Sequence, residues 1–179
     1  SSLAQTNRYF FGVFMLLTIR RFIFNPISDF LPASCFGFRR FILRIMGVKI
    51  DKSAKINSGF RIYGSGKLII EKNVWVGRNC HFYTIGNSKI TIGCSSEIGP
   101  ESSFNCQSHK IGDSFDRAGP CIIHDITIGN GTWIGMRSTI LCNNIGSGCV
   151  IGANSVVLNN TNNNTLYAGI PAKCKKIYN

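Results

Sequence analysis

Residues 126–157 read ITIGNGTWIGMRSTILCNNIGSGCVIGANSVV, and a large aliphatic residue returns here every six positions, with one interval of five. A glycine usually follows it. Side chains repeat about every 3.6 residues on an α-helix and every 2 on a strand, so this period fits neither and indicates a solenoid of stacked coils. The spacing extends upstream, with an interruption near residues 105–121. The repeating positions are Ile50, Ile56, Ile62, Ile70, Val76, Phe82, Ile92, Ile98, Phe104, Ile122, Ile128, Ile134, Ile140, Ile145, Ile151 and Val157.

A second position of the hexad, two residues before the aliphatic, is restricted to small side chains. We expect the aliphatic to fill the axis of a prism and the small residue to let the chain turn beneath it. The glycines permit backbone conformations at the corners that other residues resist. The small residues are Ala54, Cys80, Ser96, Ser102, Thr132, Ser138, Cys149 and Ser155.

This double restriction resembles the hexapeptide-repeat acyltransferases, which form left-handed parallel β-helices. The resemblance covers residues 50 to 178, about two thirds of the chain. The predicted fold is all-β, a left-handed parallel β-helix with a short N-terminal α-helical segment. We expect an apolar and basic segment at 1–49, the β-helix at 50–165 with an extruded loop at 105–121, and a C-terminal tail at 166–179.

The N-terminal segment concentrates positive charge. Of the formal net charge of +12, residues 1–50 contribute seven Arg or Lys against the single Asp29. The uncharged, apolar stretch Tyr9–Ile19 is shorter than the roughly 20 residues that a membrane-spanning helix needs. No known nucleic-acid-binding motif accompanies the charge, so nucleic acid is not an expected partner.

A basic amphipathic helix is predicted near residue 40. Phe38, Phe41, Ile42 and Ile45 follow the spacing of one helical face, whereas the arginines at 39, 40 and 44 lie mostly off it. Two compatible roles are open: the helix caps the apolar end of the solenoid, or it contacts an anionic membrane surface. Prolines at 26 and 32 predict two short helices separated by a turn.

The eight cysteines show no metal-ligand or disulfide spacing. Cys80 and Cys149 fit the hexad as small buried hydrophobes. Unpaired thiols suit a reducing compartment, so the expected location is cytoplasmic, with peripheral contact at the inner face of the cytoplasmic membrane as an extension. No metal is expected to be required.

The interruption of the hexads contains the candidate catalytic residue, His109. Solenoids extrude insertions as loops, often at the binding face. In sugar O-acetyltransferases of the family resembled, the catalytic histidine stands at such a break, at the spacing that separates Ile92 from His109. A sugar hydroxyl attacks a thioester poorly unless a base takes its proton, and histidine is suited to that task near neutral pH.

Two candidate acceptor-binding residues precede His109 in the sequence. By the same comparison His81 stands where sugar acetyltransferases often carry an acceptor-binding asparagine, and Asn105 begins the interruption. An imidazole and an amide can each donate and accept hydrogen bonds to a sugar. His124 matches no functional position and is interpreted as structural.

The candidate donor site comes after the break. The string Thr132-Trp133-Ile134-Gly135 resembles the family's Trp-Ile-Gly, whose tryptophan lies beside the pantetheine arm of coenzyme A. The resemblance further implies that the backbone N–H of Met136, just after Gly135, polarises the thioester carbonyl.

Two downstream motifs are the strongest signatures. Residues 151–157 and 168–173 resemble the family's Ile-Gly-Ala-Gly-Ser-Val-Val and Ala-Gly-Asn-Pro-Ala-Lys. By that resemblance Ala153 lines the coenzyme groove, Lys173 lies near the adenosine phosphates, and Lys176 adds a further cation there.

These features predict an acetyl-CoA-dependent O-acetyltransferase that modifies a sugar of a surface polysaccharide or its lipid-linked precursor, with His109 as general base. The family resembled generally forms homotrimers. Three alternatives stay open: an N-acetyltransferase of a nucleotide amino sugar, a zinc carbonic anhydrase of the same fold, and a non-catalytic scaffold. The scaffold is suggested by Leu158-Asn159, where many members carry Thr-Lys against the coenzyme phosphate.

Overall fold

The structure is a computed structural model that describes residues 15–32 and 34–179. Residues 9–14 of the apolar stretch Tyr9–Ile19 lie outside the described residues. Three helical stretches begin the chain: α1 (residues 15–24), α2 (Ile27–Phe30) and α3 (Phe36–Ile45). The strands are β1 (Lys49–Ile50), β2 (Lys55–Ile56), β3 (Arg61–Tyr63), β4 (Lys67–Ile70), β5 (Trp75–Val76), β6 (His81–Tyr83), β7 (Lys89–Ile92), β8 (Glu97–Ile98), β9 (Ser103–Asn105), β10 (Gln107–Ile111), β11 (Ala118–Ile123), β12 (Ile126–Ile128), β13 (Trp133–Ile134), β14 (Thr139–Ile140), β15 (Asn144–Ile145), β16 (Val150–Ile151), β17 (Val156–Val157), β18 (Thr165–Gly169) and β19 (Ala172–Ile177).

The strands form a three-faced prism because each coil of the chain contributes one strand to each of three sheets. Face 1 has the order β1-β4-β7-β12-β15, face 2 the order β19-β18-β16-β13-β8-β5-β2, and face 3 the order β17-β14-β9-β6-β3. Within the faces the strands pair in parallel, except for the last pair, β18 and β19. The chain turns from face 2 into face 3 at the 2–3 corner and from face 3 into face 1 at the 3–1 corner.

The hexad pattern predicts the interior of this prism. The aliphatic positions are buried along the axis, and three aromatic rings, Phe60, Phe82 and Phe104, stack at 4.9 Å spacing under face 3. The small polar residues are buried too, and four of their hydroxyls donate to a glycine carbonyl of the next coil: Ser96 to Gly129 at 2.8 Å, and likewise Ser102 to Gly135, Thr132 to Gly146 and Ser138 to Gly152. The Ser155 hydroxyl instead accepts the Gly169 N–H at 3.0 Å.

One aliphatic position was wrongly predicted. Ile122 belongs to β11 of an extruded hairpin, where it is 39% exposed, and the buried register resumes only at Ile126 and Ile128. The hairpin consists of β10 and β11 in antiparallel pairing and leaves the solenoid between β9 of face 3 and β12 of face 1. It therefore projects from the 3–1 corner.

The face of α3 that packs on the solenoid is rotated by one residue from the predicted apolar face. Arg39, Ile42, Leu43 and Met46 face the solenoid, whereas Phe38 is exposed, as is Phe41. The reason is that the first coil presents carbonyl groups to the helix. The guanidinium of Arg39 donates to the Ile56 carbonyl at 2.7 Å, Arg40 to that of Ala54 at 2.9 Å and Arg44 to that of Ile50 at 3.1 Å.

These three arginines thus bind the end of the solenoid and cap it. Two helices were predicted before residue 50, and the described part of this segment, residues 15–32 and 34–49, has three helical stretches, interrupted near Pro26 and Pro32. No helix in the described ranges has the length and apolar character needed to cross a bilayer.

All eight cysteines are free thiols. Cys80 and Cys149 are buried in the small-residue position as predicted. Burial raises the pKa of the Cys80 thiol to about 12 and that of Cys106 to about 11, which keeps both protonated and unreactive near neutral pH.

Candidate active site

His109 lies in the middle of β10, on the exposed hairpin, with Cys121 opposite it in β11. Its Nδ1 atom is 2.7 Å from the carbonyl oxygen of Gly119. A carbonyl oxygen only accepts hydrogen bonds, so Nδ1 carries the proton and donates it. The neutral ring therefore keeps its lone pair on Nε2, which is the arrangement that a general base requires.

Face 3 brings both predicted acceptor residues into one surface. His81 in β6 aligns with Ser103 in β9, and Tyr83 aligns with Asn105. The Oδ1 atom of Asn105 accepts the Gln107 N–H at 3.0 Å, so this side chain also fixes the start of the hairpin that carries His109. His81 and Asn105 thus both belong to face 3, and Asn105 lies where the hairpin that carries His109 begins.

His81 is half-buried beside Tyr63 and Tyr83, whose rings it meets edge-on at about 6 Å. Its Nδ1 atom is 3.5 Å from the Tyr83 hydroxyl. Burial, with a smaller contribution from the nearby Arg61 guanidinium, lowers the pKa of His81 below its ordinary value. His81 is therefore neutral near pH 7 and can both donate and accept a hydrogen bond.

An acceptor-sized cleft lies against these residues at the 3–1 corner. Its volume is about 360 Å³, and its lining includes Tyr63, Tyr83, Asn105 and Gln107. The two tyrosines, which stack on each other at 4.9 Å, were not predicted from the sequence. Their signal was a break in the pattern: Tyr63, Tyr83 and Asn105 follow the buried aliphatic or aromatic position, after which glycine is the commonest residue.

The predicted donor residues form a separate set along face 2 and the 2–3 corner. Trp133 in β13 lies between Glu97 of β8 and Val150 of β16, and its indole is 57% exposed. The corner beyond it is closely stacked, since a Cβ atom on Gly135 would lie 2.5 Å from the Ala153 nitrogen. Trp133, Gly135 and Ala153 therefore lie side by side on two stacked coils, and we call the surface that they form the candidate donor groove.

Met136 occupies the turn of this groove. Its carbonyl accepts the Asn154 N–H at 2.8 Å. Its own N–H has no hydrogen-bond acceptor within the described part of the chain. A free backbone N–H beside an exposed indole is suited to bind a thioester carbonyl.

Lys173 and Lys176 lie on β19, at the end of face 2, opposite Ala168 and Leu166 of β18. Both are exposed, and the Lys176 ammonium is 5.2 Å from the Tyr178 ring centroid. β19 is three strands away from β13 in the face, or about 14 Å at the usual 4.8 Å spacing. Cations at this distance from Trp133 can meet phosphates at the far end of an extended ligand.

One chain does not bring His109 and Trp133 together. The hairpin leaves the 3–1 corner, which is the corner opposite face 2, and the Trp133 side chain points outward from face 2. The donor and base sets of a single chain therefore point in different directions.

The remaining histidine, His124, follows β11 and its backbone N–H donates to the Cys106 carbonyl at 3.0 Å. Among residues 15–32 and 34–179, no group of three His, Cys, Asp or Glu side chains is arranged to hold a metal ion.

Comparison with known proteins identifies relatives of this chain, although no protein-family profile matches it. An Escherichia coli K12 protein named as a colanic acid biosynthesis acetyltransferase, WcaF, is 32% identical over 142 residues, which are 79% of this chain and 75% of that protein. A galactoside acetyltransferase solved in complex with coenzyme A has a TM-score of 0.68 at 26% identity, covering 91% of this chain and 81% of that one.

A Vibrio cholerae hexapeptide-repeat acetyltransferase shares the fold, with a TM-score of 0.66 at 23% identity over 96% of this chain and 93% of that one. The identity to the colanic acid relative extends over most of both chains, and the repeats that carry it build the observed three-faced solenoid. The chain therefore belongs to the hexapeptide-repeat acetyltransferases, whose fold is the left-handed parallel β-helix.

Proposed function

We propose that this protein transfers an acetyl group from acetyl-CoA to a hydroxyl of a sugar, in a surface polysaccharide or its lipid-linked precursor, with His109 as the general base. The observation that carries the proposal is the 2.7 Å hydrogen bond from His109 Nδ1 to the Gly119 carbonyl. It fixes the tautomer whose Nε2 can accept a proton. The colanic acid and galactoside acetyltransferases among the relatives support a sugar acceptor.

In the proposed reaction the sugar lies in the cleft beside Tyr63, Tyr83 and Asn105. Exposed aromatic rings suit the apolar faces of a sugar, and the amide suits its hydroxyls. As Nε2 of His109 takes the hydroxyl proton, the sugar oxygen attacks the thioester carbonyl. The resulting oxyanion is stabilised by the free N–H of Met136. The carbonyl re-forms, the C–S bond breaks, and the imidazolium returns its proton to the departing thiolate, so no acyl-enzyme is formed.

The active unit in this proposal is a homotrimer. Because His109 and Trp133 point in different directions in one chain, a complete site needs His109 of one subunit and the face 2 groove of its neighbour. A three-faced prism can repeat this contact around a threefold axis, so that each subunit gives its hairpin once and receives a hairpin once. Acetyl-CoA is the co-substrate, held by Trp133, Gly135, Met136, Ala153, Lys173 and Lys176.

The test separates donor binding from chemistry. Calorimetry with acetyl-CoA should give a measurable Kd for the wild type and at least tenfold weaker binding for Trp133→Ala combined with Lys173→Ala. His109→Asn should keep the wild-type Kd, since the imidazole acts on the acceptor hydroxyl and is not among the residues proposed to hold acetyl-CoA. Its kcat should fall by about 10² to 10⁴, the range for losing a general base.

His124→Asn is the matched control, since it removes an imidazole from the base of the same hairpin and should leave kcat within about twofold of the wild type. The acceptors are tested in pairs. The two sugars of a pair differ only in whether one carbon carries a hydroxyl or an amino group. Faster transfer to the amino sugars would replace the proposed O-transfer by N-transfer. Undiminished kcat in His109→Asn would remove the base assignment.

A further inference from the structure

Helix α1 exposes most of its apolar side chains. Met15, Leu16, Ile19, Phe22 and Ile23 are exposed, with Phe22 at 82%, whereas Leu17 and Phe24 are partly buried. At about 100° per residue the exposed apolar side chains fall within an arc of roughly 120° on one side of the helix. We call this surface the α1 apolar face. A helix on a water-soluble surface normally turns such a stripe toward the core, whereas none of residues 15–32 and 34–179 covers this face.

The opposite side of α1 carries the polar anchors. Arg21 is fully buried, and its guanidinium donates to the carbonyls of Met46, Gly64 and Gly66 at 3.2, 2.6 and 2.8 Å. Three carbonyls oriented toward one cation fix the rotation of the helix. The apolar face therefore points outward, because Arg21, with the partly buried Leu17 and Phe24 beside it, holds the other side of α1 against the solenoid.

The helix is also tied to the edge of face 3. The Asn25 side chain, just beyond α1, donates to the Ile62 carbonyl at 3.0 Å and accepts the Ile62 N–H at 3.1 Å, in the manner of a neighbouring strand. Ile62 belongs to β3, the last strand of that face. The hydrogen bonds of Asn25 thus fix the location of α1 beside β3, just as those of Arg21 fix the rotation of the helix.

This location places the α1 apolar face next to the candidate acceptor cleft. A smaller cleft of about 220 Å³ lies between α1 and face 3 and is lined by Phe22, Tyr63 and Gly64 among others. Tyr63 and Gly64 also line the 360 Å³ cleft that reaches Asn105 and Gln107. The two clefts therefore adjoin at Tyr63 and Gly64, one beside the apolar face and the other near the start of the hairpin.

We propose that the α1 apolar face docks on the interfacial region of an anionic lipid bilayer. Large aliphatic and aromatic side chains on one helical face bury favourably at the boundary of headgroups and acyl chains. The flanking charge favours a lipid surface over a second copy of this chain. Arg20 is exposed beside the face and the chain carries a net charge of +12, so an anionic surface attracts this side of the molecule, whereas the same face of a second copy would bring another Arg20 against it.

Docking in this way brings the mouth of the acceptor cleft to the membrane surface. A sugar attached to a lipid could then enter the cleft while its lipid stayed in the bilayer. This last step rests on the proposed function, whereas the docking itself does not.

The experiment is co-sedimentation of the full chain with vesicles of phosphatidylcholine, with and without phosphatidylglycerol, in the absence of both substrates. The wild type should bind the anionic vesicles at least tenfold more strongly than the neutral ones, and added salt should weaken the binding. Ile19→Ser, Phe22→Ser and Ile23→Ser combined should weaken binding to anionic vesicles at least tenfold. The matched control replaces three exposed apolar residues elsewhere, Ile111→Ser, Phe115→Ser and Ile170→Ser, and should bind like the wild type.

Three results would overturn the proposal: no vesicle binding by the wild type, equal loss in the control variant, or a smaller particle mass for the α1 variant in light scattering without lipid. The last result would make the face a contact between subunits. Calorimetry with acetyl-CoA checks that the α1 variant is folded. Because neither substrate is needed for sedimentation, failure of the proposed acetyl transfer would leave the docking result standing, and failure of docking would leave the transfer result standing.

Discussion

At the scale of single residues, His81 shows how a position on a coil sets a protonation state. Burial and the Arg61 guanidinium lower its pKa in the folded protein, so below about pH 6.5 the unfolded chain binds more protons at this residue. The contribution of His81 to stability is thus complete above that pH and is lost as the pH falls through the lowered pKa. We expect the free energy of unfolding, measured by urea denaturation, to decrease across this window.

His81→Asn isolates this effect, since the amide keeps a hydrogen-bonding side chain at the position but does not titrate. The variant should lose less stability on acidification than the wild type, while the contributions of His109 and His124 cancel in the comparison. Parallel pH profiles for the two proteins would contradict the prediction. If His81 also contacts the acceptor, His81→Asn should have a raised KM for the sugar at neutral pH and an unchanged Kd for acetyl-CoA.

At the scale of elements, the tight corner that supports the donor groove depends on Gly99. A Cβ atom there would lie 2.5 Å from the Met136 nitrogen and 2.7 Å from the Gly135 carbonyl carbon, both backbone atoms that cannot move without shifting the next coil. Gly99→Ala should therefore cost about 1 to 3 kcal/mol of stability and weaken acetyl-CoA binding, since it displaces the Met136 N–H. Thermal unfolding and calorimetry measure the two effects.

Gly37→Ala is the matched control. Gly37 lies in helix α3, and the nearest atom to an added Cβ is the end of the Arg40 side chain at 3.9 Å. Alanine is the better helix former, so this change should raise stability by up to about 1 kcal/mol. Destabilisation by both substitutions would show that crowding against the next coil is not the cause.

The elements also show where sequence reasoning succeeds and fails. The hexads predicted the three faces because each aliphatic side chain is buried only when it points to the axis of the prism. The burial of Ile122 was wrongly predicted because a strand of an exposed hairpin can place an aliphatic residue at the same spacing without burying it. The rotation of α3 was missed because a buried Arg39 is unexpected until the carbonyls at the end of the solenoid are seen.

At the scale of the whole molecule, the motifs predict a set of donor residues, but not that this set and the hairpin of one chain face apart. The relative direction of the donor residues and the hairpin depends on the corner of the prism from which the hairpin projects. A six-residue repeat has the same sequence pattern at every corner, so it does not identify that corner. The stacked pair Tyr63 and Tyr83 was missed for a similar reason, since cross-coil register joins residues 20 positions apart.

The opposed directions of His109 and Trp133 lead to a complementation test of the shared site. His109→Ala and Trp133→Ala should each be nearly inactive alone. If the two variants are unfolded together in equal amounts and refolded, about a quarter of the subunit interfaces should join an intact histidine to an intact tryptophan, and about a quarter of wild-type activity should return. Mixing without unfolding should restore much less if subunits exchange slowly. A site contained within one chain would give no recovery under either condition, because every chain in the mixture lacks one of the two residues.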